Sequence, residues 1–225
     1  MKKIIIITTI ISIVLLGVII YIANSTNFNQ PVVPPIPSTE LGILAPRDFY
    51  LINKERNWII TLGMPKSEAR SAIRLNRAND IFDRGPYQIH TFNDFDFFYR
   101  NNELRRILTE GGYGVSTSWE IYGGINAYTS REEIIEILGV PTMYEENNFI
   151  TYIFFKTEDG NYQKLKNEEE VEQFIKKEAY ISQVNIIEFL NRYDDYPSIL
   201  IMRSFTEIVD IKDHLQWLLI REGID

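Results

Sequence analysis

The chain has 225 residues, with 31 acidic and 23 basic side chains and no cysteine, so its formal net charge at neutral pH is −8. Without cysteine, the chain has no disulfide framework, thiol nucleophile, thiolate metal site or acylated lipoprotein cysteine. The acidic balance argues against nucleic acid as a partner, because phosphate binding needs a basic surface.

An uncharged apolar segment, residues 4–23, follows two lysines at the N-terminus. As a helix it would be about 30 Å long, the thickness of the hydrocarbon layer of a membrane. The next basic residue is Arg47, so the positive-inside rule places residues 1–3 in the cytoplasm. We expect a single-pass anchor in the cell membrane, with the C-terminal part outside the cytoplasm. The alternative is a secretory signal cleaved after Ala23, although such signals have shorter apolar regions of about 7 to 15 residues.

The next segment, residues 24–46, is rich in proline and is predicted to be a linker. Its prolines favour polyproline II, which makes the segment a semi-rigid spacer of about 3 Å per residue. Residues 47–225 are predicted to form an extracytoplasmic α+β domain.

This domain is predicted to begin with two strands and a short helix. The strands FYLIN and WIITL pair across a polar turn between Asn53 and Asn57. Gly63 supplies a bend before the helix in LGMPKSEARSAIRL, and Pro65 suits its first turn. A loop is expected from Asn76 to His90.

A hairpin is predicted next. Phe95, Phe97 and Tyr99 alternate with polar residues, which is typical of a half-buried strand. The pair Asn101 and Asn102 favours a tight turn into a second strand.

The second half of the domain is predicted to contain three further helices. Ser130 and Glu133 make a capping box before an apolar stripe that ends at Gly139. NEEEVEQFIKKEA has acidic residues at its start and lysines at its end, as expected of a solvated helix. The strands TYIFFK, ISQVNIIEF and SILIMRSF are expected in this half, and a closing helix over 210–222 completes it.

A strand, a short helix and antiparallel strands occur in this order twice, over residues 58–110 and 119–190. The predicted fold class is therefore α+β. It comprises an N-terminal transmembrane helix and an antiparallel sheet with short helices packed on one face, with two tandem repeats as an option.

Three sequence segments resemble those of a known family: GMPKSEARSAI, FFYRNNELRRIL and YTSREEIIEILGVP. They resemble the repeat of beta-lactamase inhibitor protein-like domains and of the small lipoprotein of the outer-membrane barrel assembly machinery. The resemblance covers about residues 58–156, with an extension to residue 190 as an alternative. It implies a helical segment on an antiparallel sheet whose exposed face or loops bind another protein.

Candidate catalytic residues are few. His90 shares a segment with Asp94 and Asp96, which suggests an acid/base or metal site, but alternating carboxylates on a strand more often face solvent. His214 lies beside the apolar stripe of the closing helix, where packing is the commoner role. No catalytic set, metal site or cofactor is predicted, and an enzyme is not expected.

Four aromatic residues near a glycine-rich stretch are the candidate partner-binding residues: Tyr113, Trp119, Tyr122 and Tyr128. Large rigid side chains are common anchors at protein interfaces. The alternative is that Trp119 and Tyr122 belong to the core.

The function predicted is a membrane-anchored extracytoplasmic module that binds another protein without catalysis. One alternative is an immunity or inhibitor protein that neutralises a toxin or enzyme, and the other is a metal-dependent hydrolase of the envelope.

Overall fold

The computed structural model describes residues 43–73, 78, 80–92, 95–109, 119–126, 129–144, 149–177, 183–190 and 199–221. The predicted anchor, residues 4–23, and most of the predicted linker lie outside these ranges. The helices in the described ranges are too short or too polar to cross a membrane.

The strands of the described residues are, in chain order, β1 (Ile43–Leu44), β2 (Tyr50–Asn53), β3 (Trp58–Thr61), β4 (Asp80–Arg84), β5 (Tyr87–Thr91), β6 (Phe95–Arg100), β7 (Glu103–Thr109), β8 (Trp119–Glu120), β9 (Met143–Tyr144), β10 (Phe149–Lys156), β11 (Tyr162–Lys164), β12 (Val184–Leu190) and β13 (Ile199–Phe205). The α-helices of the same ranges are α1 (Lys66–Ala72), α2 (Arg131–Leu138), α3 (Glu168–Lys176) and α4 (Ile208–Arg221). Two 3-10 turns, Pro46–Phe49 and Tyr122–Gly124, complete the described elements.

The strands form two antiparallel sheets within the described part of the chain. The large sheet has ten strands in the order β1-β11-β10-β12-β13-β7-β6-β5-β4, with β9 paired to β10. The small sheet has the order β3-β2-β8. The predicted α+β class is therefore wrong: the described chain is mostly antiparallel sheet with few helices, and it shows no N-terminal transmembrane helix.

Helices lie on both faces of the large sheet, which corrects the expectation that they pack on one face. Successive residues of the central strands enter different hydrophobic cores, because side chains alternate along a strand. Tyr152 and Ile187 belong to an inter-sheet core, which also takes residues of the small sheet, α1 and α2. Ile153 and Ile186 belong to a helical core, which is completed by α3 and α4.

Most of the locally encoded turns are confirmed. β2 pairs with β3 across a turn in which Asn57 has a φ of 52°. β6 and β7 are joined by Asn101 and Asn102, whose φ values are 51° and 66°. Both φ values are positive, as a type I′ turn requires, and asparagine tolerates this conformation better than most residues.

The predicted loop from Asn76 to His90 is wrong over most of its length. It contains β4 and β5, which pair as a hairpin from Asp80↔Thr91 to Arg84↔Tyr87. Gly85 has a φ of 57° in the two-residue turn between them. The hairpin was missed because β4 is exposed along its whole length and so lacks an alternating apolar pattern.

The predicted helices are confirmed in the described residues. In α2 the Ser130 side chain accepts a hydrogen bond from the backbone of Glu133, whose carboxylate accepts one from Ser130. Four apolar residues of α4 are buried as predicted: Ile211, Leu215, Leu218 and Leu219. The closing helix predicted over 210–222 spans Ile208–Arg221. The division into repeats 58–110 and 119–190 stays a prediction.

Candidate functional site

A cleft of about 440 Å³ opens where one end of the small sheet meets the large sheet. This volume lies within the range of pockets that hold small molecules or protruding side chains. The lining residues come from both sheets, from α1 and from the first 3-10 turn: Pro46, Phe49, Tyr50, Thr61, Leu62, Gly63, Met64, Glu68, Glu103, Arg105, Tyr162, Gln183, Asn185 and Thr206.

One wall of the cleft is the turn that leads from β3 into α1. The backbone N–H of Gly63 donates to the carbonyl of Leu104 at 2.7 Å, and that of Leu104 donates to the carbonyl of Met64 at 2.9 Å. Gly63 has a φ of 85°, which a side chain would strain. These bonds attach the turn to the start of β7 and so fix the position of the wall.

The floor of the cleft is aromatic. Phe49 is buried and packs against Tyr162, with 4.7 Å between ring centroids, and edge-on against Phe154 at 5.3 Å. Burial raises the pKa of Tyr162, and a hydrogen bond with Asn185 opposes part of that shift. The phenol therefore stays neutral at physiological pH.

The rim of the cleft is charged. Glu68 is exposed on α1, and Glu103 forms an ion pair with Arg105 on β7. Arg105 has no counterpart on β6, because the ladder shifts register between Phe98 and Tyr99. Such a bulge redirects a side chain. Since Glu103 and Arg105 neutralise each other, Glu68 leaves these three rim residues with a net negative charge.

Amide side chains form the opposite wall. Gln183 donates through Nε2 to Asn185 Oδ1 at 3.2 Å and to Ser204 Oγ at 2.8 Å. Asn185 and Ser204 are both buried. Asn185 lies on the same face of β12 as Ile187 and Phe189 of the inter-sheet core, and this polar residue among buried apolar ones is a sequence signal that was missed.

The predicted aromatic cluster is only partly described. Trp119 and Tyr122 are buried in the inter-sheet core, and Trp119 packs against Trp58 with 6.1 Å between ring centroids. Burial and the nearby carboxylate of Asp48 raise the pKa of Tyr122 to about 12. The other two candidates, Tyr113 and Tyr128, lie outside the described residues.

The structure does not bring His90 and Asp96 together. His90 is opposite Phe97 in the β5–β6 ladder and Asp96 is opposite Thr91, so the two side chains lie on opposite faces of the sheet. Asp94 lies outside the described residues. Among the residues that are described, no three His, Asp or Glu side chains are placed to hold a metal ion.

His90 is instead a buried structural residue. Its Nε2 lies 3.0 Å from Oε1 of Gln88, which also accepts a hydrogen bond from Lys66 Nζ at 3.0 Å. Burial, together with the positive charges of Arg70 and Lys66, lowers the pKa of His90. The ring is therefore neutral near pH 7 and donates through Nε2.

His214 is packed, as expected. Its ring stacks against Phe205 and against Trp217, with centroid distances of 4.7 Å and 5.4 Å, and its Nε2 lies 2.9 Å from Arg203 Nη1.

No family model, curated protein or solved structure matches this chain. The resemblance to beta-lactamase inhibitor protein-like domains thus stays a prediction.

Proposed function

We propose that the chain is a membrane-tethered extracytoplasmic module that binds another protein without catalysis, and that the cleft receives a basic side chain of that partner. The observation that carries the proposal is the cleft itself, which combines an aromatic floor with an acidic rim. The carboxylate at the rim gives charge complementarity to a basic side chain, and the aromatic floor can pack against the apolar stem of that side chain.

The tether in this proposal is the apolar segment 4–23, and the proline-rich segment 24–46 is its spacer. A proline-rich spacer is suited to linking an anchor to a domain that binds a protein partner. The net charge of −8 agrees with a basic partner, because opposite net charges speed association.

The proposal is tested by photo-crosslinking of the full chain in its native membrane. A photoreactive residue replaces Met64, which lines the cleft and is half-buried. The matched control replaces Val140, an apolar residue that is 72% exposed and does not line the cleft. We expect a crosslinked protein from position 64 and little or none from position 140.

Charge at the rim gives the second readout. Glu68→Lys should weaken capture at position 64 by about three- to tenfold, whereas Glu68→Gln should have a smaller effect. Equal capture from positions 64 and 140, or capture that is indifferent to Glu68→Lys in a folded chain, would contradict the proposal.

A further inference from the structure

β4 is an edge of the large sheet, since it ends the strand order within the described residues. All five of its residues are exposed, including Ile81 at 50% and Phe82 at 43%. Long exposed edges that carry apolar side chains pair readily with another strand. β4 is therefore a surface on which a further strand can be added.

The two-residue turn between β4 and β5 determines which backbone groups of β4 point away from β5. A two-residue loop makes the flanking residues, Arg84 and Tyr87, a hydrogen-bonded pair, and such pairs alternate along the ladder. The N–H and C=O groups of Ile81 and Asp83 consequently point away from β5. In agreement with this direction, the N–H of Ile81 donates to the Asp80 side chain at 2.8 Å.

The charges of β4 are complementary to themselves. Asp80, Phe82 and Arg84 share one face of the strand, with the acid and the base at equal distances from the phenylalanine. When two copies of β4 run antiparallel with Phe82 opposite Phe82, each Asp80 lies opposite the Arg84 of the other copy. The same register places Ile81 opposite Asp83, which are the residues with outward-pointing backbone groups.

We propose that β4 pairs with β4 of a second copy of this chain, in the antiparallel register centred on Phe82, to form a symmetric dimer with a continuous sheet. Four backbone hydrogen bonds join the strands through Ile81 and Asp83, and to form them the N–H of Ile81 exchanges its bond to the Asp80 side chain for one to the Asp83 carbonyl of the second copy. Two ion pairs, each between Asp80 and Arg84, flank a central pair of phenylalanine rings. This interface is independent of the cleft and does not depend on the function proposed for it.

The neighbouring registers compatible with the same hydrogen bonds are less favourable. When the pairing is centred on Ile81, Asp80 lies opposite Phe82 and not opposite Arg84. When it is centred on Asp83, Arg84 lies opposite Phe82, and the two Asp83 residues lie opposite each other. Like charges that are directly opposite destabilise a sheet. The observed order of charges thus selects one register.

Cysteine crosslinking of the full chain in membranes tests this register. Because the chain has no native cysteine, any disulfide between two copies must form through the introduced thiol. The two Phe82 Cα atoms would lie about 4.5 Å apart, as in a non-hydrogen-bonded pair, which suits a disulfide. The two Ile81 Cα atoms would be roughly 8 Å apart, which is too far.

Under mild oxidation we expect Phe82→Cys to form a disulfide-linked dimer at least about tenfold faster than Ile81→Cys. Val209→Cys, at an exposed position on α4, is the control for random collisions. Equal rates for Phe82→Cys and either other variant would overturn the proposal, as would a Phe82→Cys crosslink to a different protein in place of a second copy.

A charge exchange gives a test without oxidation. In detergent, Asp80→Arg should weaken the dimer by about tenfold or more, because it places two arginines opposite each other at both ends. Adding Arg84→Asp restores the opposite charges and should restore the dimer, as measured by sedimentation. Failure of the double variant to recover, with both variants folded, would overturn the register, and a monomeric native chain would overturn the dimer.

Discussion

Replacing Glu188 should be among the most destabilising single changes on the large sheet. Its side chain is fully buried, and its carboxylate lies 3.0 Å from the guanidinium of Arg203, whose side chain is only 15% exposed. Arg203 is directly opposite Arg106 on β7. Burial and the charge of Arg203 lower the pKa of Arg106 to about 10, and Glu188 opposes that shift. One carboxylate therefore compensates two partly buried guanidinium groups.

Glu188→Ala leaves both arginines on the sheet without that carboxylate. Removing one partner of a buried ion pair costs about 3 to 5 kcal/mol. In a folded domain of this size each kcal/mol lowers the melting temperature by about 2 to 4 °C, so the loss is on the order of 6 to 20 °C. Urea unfolding of the full chain, followed by circular dichroism, measures the change in free energy.

The control is an exposed ion pair with the same distance between its charged nitrogen and oxygen atoms. Glu172 and Lys176 on α3 also lie 3.0 Å apart, with Lys176 74% exposed, and Glu172→Ala should cost less than about 0.5 kcal/mol. Replacing both Glu188 and Arg203 by apolar residues should recover most of the loss, because such exchanges are often neutral or stabilising. If Glu188→Ala costs no more than Glu172→Ala, the reasoning from burial is refuted.

Three further predictions concern stability, each measured by thermal or urea unfolding. Gly123→Ala should cost about 1 to 3 kcal/mol, because Gly123 has a φ of 70° and an added Cβ would overlap the Ile137 side chain. The control, Gly160→Ala, is also at positive φ but in open space and should cost less. Equal losses of stability for the two variants would contradict the overlap. Lys164→Met should cost about 1 to 2 kcal/mol, because Nζ donates to the carbonyl of Leu138, the last residue of α2, at 3.0 Å and to that of Val140, just beyond the helix, at 2.7 Å. An unchanged midpoint would argue against this cap. The pKa of His90 is lowered in the folded chain, so the unfolded chain binds more protons, and stability should fall as the pH drops below about 6.5. His90→Gln should reduce that loss of stability. An identical dependence of stability on pH in the variant and the native chain would contradict the role of His90.

Features that depend on neighbouring residues were predictable from the sequence. Asn101 and Asn102 encode their turn, and Ser130 with Glu133 encodes the start of α2, because the required hydrogen bonds or dihedral angles lie within four residues. These signals operate locally and do not depend on the rest of the fold.

Features that join distant segments were not predictable. The pattern of β12 does not show that its two faces meet different cores, and the expectation of helices on one face failed for that reason. The cleft unites α1, β7 and β12, and no local pattern reports their proximity. Similarly, Lys164 reads as a surface residue in the sequence, although it caps the end of α2 from another element.

The pairing of β7 with β13 has a consequence for how the chain acquires its structure. Leu200 pairs with Thr109, so this ladder closes a loop of about 90 residues, which slows folding. The strands β4 to β7 can form hairpins as soon as they are synthesised, but β7 gains its second neighbour only when residues 199–205 are available. Until then, β7 is an exposed strand edge on a nascent chain, and a chaperone or rapid completion of synthesis would protect it from aggregation.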